Sequence, residues 1–341
     1  MMAACSLLNL NPLMIRIHKH GHHGILIPDY DIGLDISGAA AKYIFISHAH
    51  ADHVPSNRKL SVYATPPTAD LMRVRGFKGE IVELPFFQTI SIGNSDVTFY
   101  PAGHILGSAM TYIETPQGSI LYTGDYRFPA SPASEGFICP QKVDYFITEA
   151  TFSLPLYKWK SQDVLFDQIR DFVTEARHFN QVPVFLTYTL GKAQEVMMAL
   201  EPLKIPVQVH DGAYGLCKIY EKYGVNVGIY SKIDLQTIHE SIVIIPMSYL
   251  NSETMLKIPK IRTAYCSGWS DLESRKVYSS VDRHLSISDH IDFFELINLC
   301  KKLDPKHVFI THTPNPEVVI HYLAKLGIAS SPLSASTVEY K

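Results

Sequence analysis

Four side chains able to hold a divalent cation, His48, His50, Asp52 and His53, fall within six consecutive positions in Ser-His-Ala-His-Ala-Asp-His. Imidazole and carboxylate ligands suit zinc, with manganese or iron as alternatives. The preceding run Tyr43-Ile44-Phe45-Ile46 is β-branched and aromatic, which predicts a buried strand. The ligands would then sit on the loop leaving a strand end, where the backbone can turn them toward one point. One loop cannot complete two coordination spheres, and three more candidates each follow another apolar run. These are His104 after residues 96–100, Asp125 after 119–123, and His312 after His307–Thr311. Alone, His104 or His312 reads as a hydrogen-bonded structural histidine. Their recurrence at strand ends points instead to a site on the rim of a sheet.

These residues carry a resemblance. The His-x-His-x-Asp-His loop, Gly103-His104, Gly124-Asp125 and the distal His312 resemble the metallo-β-lactamase superfamily. Glu149 in Ile-Thr-Glu-Ala-Thr-Phe, His290 in Ser-Asp-His-Ile-Asp, and His312 resemble the three motifs of its β-CASP nuclease branch. That branch includes the endonuclease that makes messenger-RNA 3′ ends, J-type ribonucleases and relatives of Artemis. Within it, the chain is similar to bacterial ligase-associated DNA exonucleases, a group also described as mRNA 3′-end processing factor-like. The matching segments are 47–54, 64–71, 101–109, 148–155, 190–194, 267–269 and 285–292.

The resemblance implies an α/β, four-layer αββα metallo-β-lactamase fold interrupted by a small α/β β-CASP domain. Residues 1–155 and 281–341 would form the first, residues 156–280 the second, with the active site in the cleft between them. Two divalent metal ions are implied, zinc foremost. His48, His50 and His104 would hold one, Asp52, His53 and His312 the other, and Asp125 would bridge them. Asp52, Glu149 and His290 would be the catalytic set. A hydroxide between the cations would attack the phosphodiester, and His290 would protonate the leaving oxygen. Glu149 would hydrogen-bond the other ring nitrogen of His290 and favour imidazolium. Asp35, in Gly-Leu-Asp, matches the superfamily's first motif and would orient a ligand loop. An ordinary strand-end turn explains it nearly as well.

Nucleic-acid contacts are harder to read. Lys192, in Leu-Gly-Lys-Ala-Gln at a predicted helix start, suits an anion. Ser267-Gly-Trp269 offers close approach and an indole for stacking on a base. A helix cap and a packed aromatic explain the same residues. Arg58 and Arg283 are phosphate candidates, though arginines often simply face solvent. The resulting expectation is a metal-dependent DNA exonuclease of DNA repair, acting on single strands or strand ends. Family analogy adds an ATP-dependent DNA ligase and a DEXH-type helicase as functional neighbours. The alternatives are a β-CASP ribonuclease or RNA 3′-end processing enzyme, and a small-molecule ester or thioester hydrolase.

Composition bounds this reading. The chain's 341 residues allow one or two domains, and 46% apolar content permits a sizeable core. No apolar run is long enough for a bilayer, so no membrane partner is expected. Met-Met-Ala-Ala-Cys lacks the basic-then-apolar pattern of a secretory signal. Five widely spaced cysteines without a CxxC read as free thiols, and a cytoplasmic location follows as an expectation. A formal net charge of −3 argues against a broad basic face for long duplexes, but leaves room for a local groove. The histidines of His-Lys-His-Gly-His-His, residues 18–23, read as solvated imidazoles on an edge hairpin. The distal motif Thr-His-Thr-Pro departs from the His-Gly of many relatives, which puts the second cation's surroundings in doubt.

The supporting elements follow from pattern. Thr65-Pro-Pro marks a helix start, and Pro-Gln-Gly at 116–118 marks a hairpin turn. Apolar runs near 182–187, 207–210, 242–245 and 262–266, alternating with helical stretches, predict a parallel sheet in the middle of the chain.

Overall fold

The computed structural model describes residues 15–333, except 22, 57–58 and 271–280, together with 338–339. Cys5 and Arg58 lie outside the described residues. Three sheets organise a mixed α/β chain. The first has seven strands, ordered Val338–Glu339, Arg16–His20, Gly24–Ile27, Ile32–Leu34, Tyr43–Phe45, Val62–Ala64 and Ile81–Glu83. The second also has seven, ordered Ser330–Pro332, His307–Thr311, Tyr145–Glu149, Gly118–Tyr122, Ala109–Thr115, Ser95–Pro101 and Thr89–Ile92. Their facing sides share one core, in which Ile25, Leu34 and Phe45 meet Val97, Phe99, Ile120, Ile147 and Phe309. Outward-facing Leu121, Phe146 and Ile310 of the second sheet pack against the helices Phe293–Leu303 and Pro316–Lys325.

The third sheet has six strands, all paired in parallel, in the order Tyr230–Lys232, Val207–Val209, Ile242–Ile245, Val182–Leu186, Ile261–Cys266 and Arg283–Leu285. Its central strands are buried along their whole length, as parallel strands covered on both faces must be, which is why they read as unbroken apolar runs. The sheet extends past residue 280, the expected boundary, because Arg283–Leu285 pairs with Ile261–Cys266. A three-residue strand is too short to give an alternation signal.

The predicted helix start at Thr65 is present: its side chain accepts from the Thr68 N–H at 3.3 Å and caps Pro66–Val74. The 17-residue helix Gln162–His178 escaped the pattern reading although Ser161, a common capping type, precedes it; in the structure that side chain makes no cap bond. Its stripe Leu165, Ile169, Phe172, Val173 and Ala176 is nevertheless helical in spacing and buried.

One topological fact places the site. The chain leaves the second sheet after Glu149, builds the third sheet, and returns as His307–Thr311 directly beside the strand it left, with Glu149 opposite Thr311. Two residues 162 positions apart, Glu149 and Thr311, are thereby made neighbours, and His312 follows at once. A buried ion pair ties the two regions together, with Arg127 Nη1 2.6 Å from Glu195 Oε1. Arg127→Ala leaves Glu195 buried without its counter-charge, with only a long 3.4 Å bond from Gln162 Nε2, so a loss of about 3–5 kcal/mol of stability is expected in denaturant titration.

Candidate metal centre

Every ligand candidate sits just beyond a strand end. The turns that carry them depend on glycine at two points. Gly103 and Gly124, before His104 and Asp125, adopt φ of +75° and +55°. A Cβ at Gly103 would lie 2.5 Å from the Arg127 carbonyl oxygen, and one at Gly124 2.5 Å from Ser47 Cβ. Gly-His and Gly-Asp are therefore a steric requirement of these loops.

His48, His50, His104 and Asp125 form one group, with a ligand atom of each within 4.8 Å of the others. His50 Nδ1 lies 3.1 Å from both His48 Nε2 and His104 Nε2. Asp125 Oδ2 lies 3.6, 3.5 and 3.9 Å from the ring nitrogens of His48, His53 and His104, which puts this carboxylate between the loops. The outer nitrogens are held. His104 Nδ1 is 2.7 Å from the Asp289 carbonyl, His50 Nε2 is 3.3 Å from the Leu190 carbonyl, and His48 Nδ1 is 2.9 Å from Ser47 Oγ. Fixing one nitrogen aims the other at the common point.

Asp35 does what its motif implies. At φ +50° and buried, its carboxylate accepts from Ser47 N, Ser47 Oγ and Tyr122 Oη at 2.6–2.8 Å and lies 2.8 Å from His53 Nδ1. It locks both the loop backbone and the His53 ring.

Burial pushes His48 well below the ordinary imidazole pKa, His104 down to about 3 and His312 down to about 4, so these rings keep lone pairs at neutral pH. Burial opposes charge on Asp125 too, yet His53, His290 and His48 hold its carboxyl well below the usual carboxylate range. Both His312 nitrogens are shielded from solvent with no hydrogen-bond partner among the described residues. Its backbone takes φ +53°, a strained conformation for a non-glycine residue. Neutral imidazoles facing an anionic carboxylate, with orphaned nitrogens beside them, fit a divalent cation.

Asp52, expected among the ligands and the catalytic groups, lines one cleft together with His50, Asp125 and His312. Its side chain is 56% exposed and its Oδ2 lies 3.7 Å from His23 Nε2. His23 corrects the reading of the His-rich stretch, since the structure turns it inward against His53 and His312 rather than leaving it solvated. Sequence pattern could not give this, because nothing in the His-rich stretch says which imidazole faces the sheet rim.

Glu149 and His290 meet as a pair, with His290 Nδ1 2.8 Å from Glu149 Oε1. Glu149 also accepts from Tyr126 N at 3.1 Å and from Thr151 N and Oγ1. The indole N–H of Trp159 donates to the His290 carbonyl at 2.8 Å, and Asp292 caps the following helix. Burial lowers the His290 pKa, but Glu149 and Asp125 outweigh it and push it up to about 9.

Lys192, Ser267 and Trp269 all line a cleft of about 650 Å³ that also contains Asp125, His290 and His312. None of the three is a freely presented contact. Lys192 is buried and ion-paired with Asp289, Ser267 is buried, and the Trp269 ring packs on Phe152 at 4.5 Å. Arg283 pairs with Glu175. Sequence reading missed Tyr188, 65% exposed at the same cleft, with the Lys192 ammonium 5.3 Å from its ring centre. The described cysteines Cys139, Cys217, Cys266 and Cys300 are free thiols away from the ligand groups. No helix among the described residues is long and apolar enough to cross a membrane.

No family model matches the chain. It is 33% identical over 294 residues to a probable DNA ligase of Opitutus terrae, a match covering 85% of this chain and 28% of that protein. It is 29% identical over 190 residues to an RNase J-like protein of Methanocaldococcus jannaschii, covering 48% of this chain and 44% of that one. The chain thus spans less than half the length of these relatives. A crystal structure of a protein of unknown function from Enterococcus faecalis shares the fold, with a TM-score of 0.68 over 96% of this chain and 99% of that one, at 14% identity. By these likenesses, the chain belongs to the β-CASP branch of the metallo-β-lactamase superfamily.

Proposed function

We propose that this protein is a metal-dependent nuclease that removes nucleotides from the ends of single-stranded DNA. One observation carries the reading: His290, held from behind by buried Glu149, lines the same cleft as His50, Asp125 and His312. A small-molecule ester hydrolase has less use for a positioned acid beside two cation positions. The two seven-stranded sheets with their outer helices are read as the four-layer αββα unit, and roughly residues 156–285 as the inserted β-CASP unit. Residues 1–155 and the chain beyond the insert would then form one domain.

In this reading His48, His50, His104 and Asp125 would hold one cation, and Asp52, His53 and His312 would serve the second. Divalent cations, zinc foremost, would supply activation of water and neutralisation of phosphate charge. The chain's own groups do the rest. Glu149 fixes the His290 ring through Nδ1, leaving Nε2 to give its proton to the leaving oxygen. Asp289 holds Lys192 at the cleft wall, keeping a positive charge near the phosphate path without exposing it.

DNA is favoured over RNA because the relative matching most of this chain is named a probable DNA ligase, which also suggests a repair setting with a ligase and a helicase nearby. The RNase J-like relative makes RNA the alternative. End-labelled single strands of DNA and RNA of one sequence, with manganese or zinc, decide between them. Stepwise shortening of DNA, with RNA cut far more slowly, is the expected result; preferred RNA cleavage moves the protein to the ribonuclease group. Tyr188→Ala is expected to weaken single-strand binding by about 1–3 kcal/mol, the worth of one base stacked on an aromatic ring, in a fluorescence-anisotropy titration.

A further inference from the structure

Among the described residues, the lysine and arginine side chains that line the cleft are Lys19, Arg75 and Lys192. Lys192 is ion-paired with buried Asp289, so its charge is already matched within the protein. Lys19 and Arg75 differ, since neither side chain has an ion pair or a hydrogen bond to a described residue. Burial lowers the Arg75 pKa and the Asp52 charge raises it, but no carboxylate reaches the guanidinium at contact distance. Elsewhere charge is matched, Arg127 by Glu195, Arg262 and Arg283 by Glu175, and Lys222 by Asp70. An unmatched surface lysine by itself says little; position gives these two their content. In the first sheet, Arg16–His20 lies three strands to one side of Tyr43–Phe45, whose following loop carries His48, His50 and Asp52. Arg75 closes the helix Pro66–Val74, which follows Val62–Ala64 on the other side. The two cations thus flank the ligand loop. The inserted region supplies the facing wall, where the Tyr188 ring stands 65% exposed. Charge on one wall and a ring on the other match a single nucleic-acid strand, whose backbone follows cations while its bases stack on aromatic faces.

We propose that Lys19 and Arg75 form a two-point rail for the phosphodiester backbone, so that a single strand lies with its phosphates toward the first sheet and its bases toward Tyr188. The proposal rests on the nuclease reading above and adds which wall takes which face of the strand. Because the two cations stand on either side of the ligand loop, they meet different phosphates, and the phosphate between those is the one brought to the histidines and Asp125. Their contributions to binding should therefore add.

The salt dependence of single-strand binding tests it. Fluorescence anisotropy of a labelled oligothymidine is followed over a range of salt concentrations, with the zinc-loaded full chain carrying His290→Ala so that cutting is slow. Lys19→Gln and Arg75→Gln are each expected to flatten the plot of log affinity against log salt by about 0.7, the value for one phosphate contact on a single strand, and the double variant by about 1.4. Arg75→Lys should keep the slope, because the charge remains. Tyr188→Ala should weaken binding at every salt concentration and leave the slope as it was, since stacking releases no counterions. Lys306→Gln, at a lysine paired with Asp144 outside the cleft, should match its parent. Thermal unfolding checks that each variant is folded. Equal flattening is expected on strands with and without a terminal phosphate; flattening confined to the phosphorylated strand would mean that the cations read an end, and overturns the rail. A slope unchanged in either Lys19→Gln or Arg75→Gln also overturns it, while a wild type that cuts DNA keeps the nuclease reading. A wild type that neither binds nor cuts a strand removes both.

Discussion

Asp125→Asn should strip the protein of bound cations and abolish hydrolysis of every nucleic acid it cuts. The loss should exceed the roughly hundred-fold typical of partners that merely orient a metal ligand. The reason is position. Among the described residues, Asp125 Oδ2 is the carboxylate oxygen that lies within 4 Å of ring nitrogens of His48, His104 and His53 together. Its charge survives burial because those rings and His290 hold the carboxyl well below the usual carboxylate range. The amide keeps the shape and removes the charge that balances two divalent ions. Elemental analysis of the purified variant beside an end-labelled cleavage assay checks both halves. A variant that keeps two cations and cuts at the wild-type rate would show that Asp125 is not the shared ligand.

His290→Ala should behave differently, lowering kcat by about 10²–10⁴-fold, the usual worth of a positioned general acid, while the bound cations stay. The contrast separates proton donation from metal holding. Burial works against the imidazolium, but Glu149 and Asp125 outweigh it, so the ring stays protonated up to about pH 9. The sign follows from that direction. A general acid acts only while it holds its proton, so the rate persists below the raised pKa and falls as pH climbs through it. Glu149→Gln removes the largest influence raising this pKa, so its alkaline limb should move to lower pH and its rate should fall even at neutrality. A pH–rate profile of both variants decides. An unshifted limb in Glu149→Gln would mean that Glu149 only anchors the loop, through its bonds to Tyr126 and Thr151.

Much of this site was legible because metal ligation and tight turns leave marks on residue type. Histidines and aspartates after apolar runs, each preceded by a short turn, gave His48, His50, His53, His104, Asp125 and His312 their candidacy. Gly103 and Gly124 were readable for a steric reason, since any side chain there meets backbone or Ser47. The parallel sheet announced itself through runs such as Val182–Leu186, buried on both faces. The helix Gln162–His178 carried both its stripe and a serine at its start, Ser161, and was legible in principle though the pattern reading passed over it.

What the amino-acid order determined alone was the inventory: which residue types can bind a cation and where strands end. These are local matters, set by side-chain chemistry, periodicity and backbone sterics. Orientation and partnership were decided by the tertiary structure. Glu149 reaches His290 because the strand leaving the second sheet and the strand returning to it are paired in parallel across an insertion. His23 reaches the His53 and His312 rings because a hairpin turn packs against a loop from another strand and the end of a third. Lys192 and Trp269 are occupied by Asp289 and Phe152, and Tyr188 stands exposed in the cleft. Such choices depend on contacts between segments far apart in the chain, and no spacing within one segment encodes them.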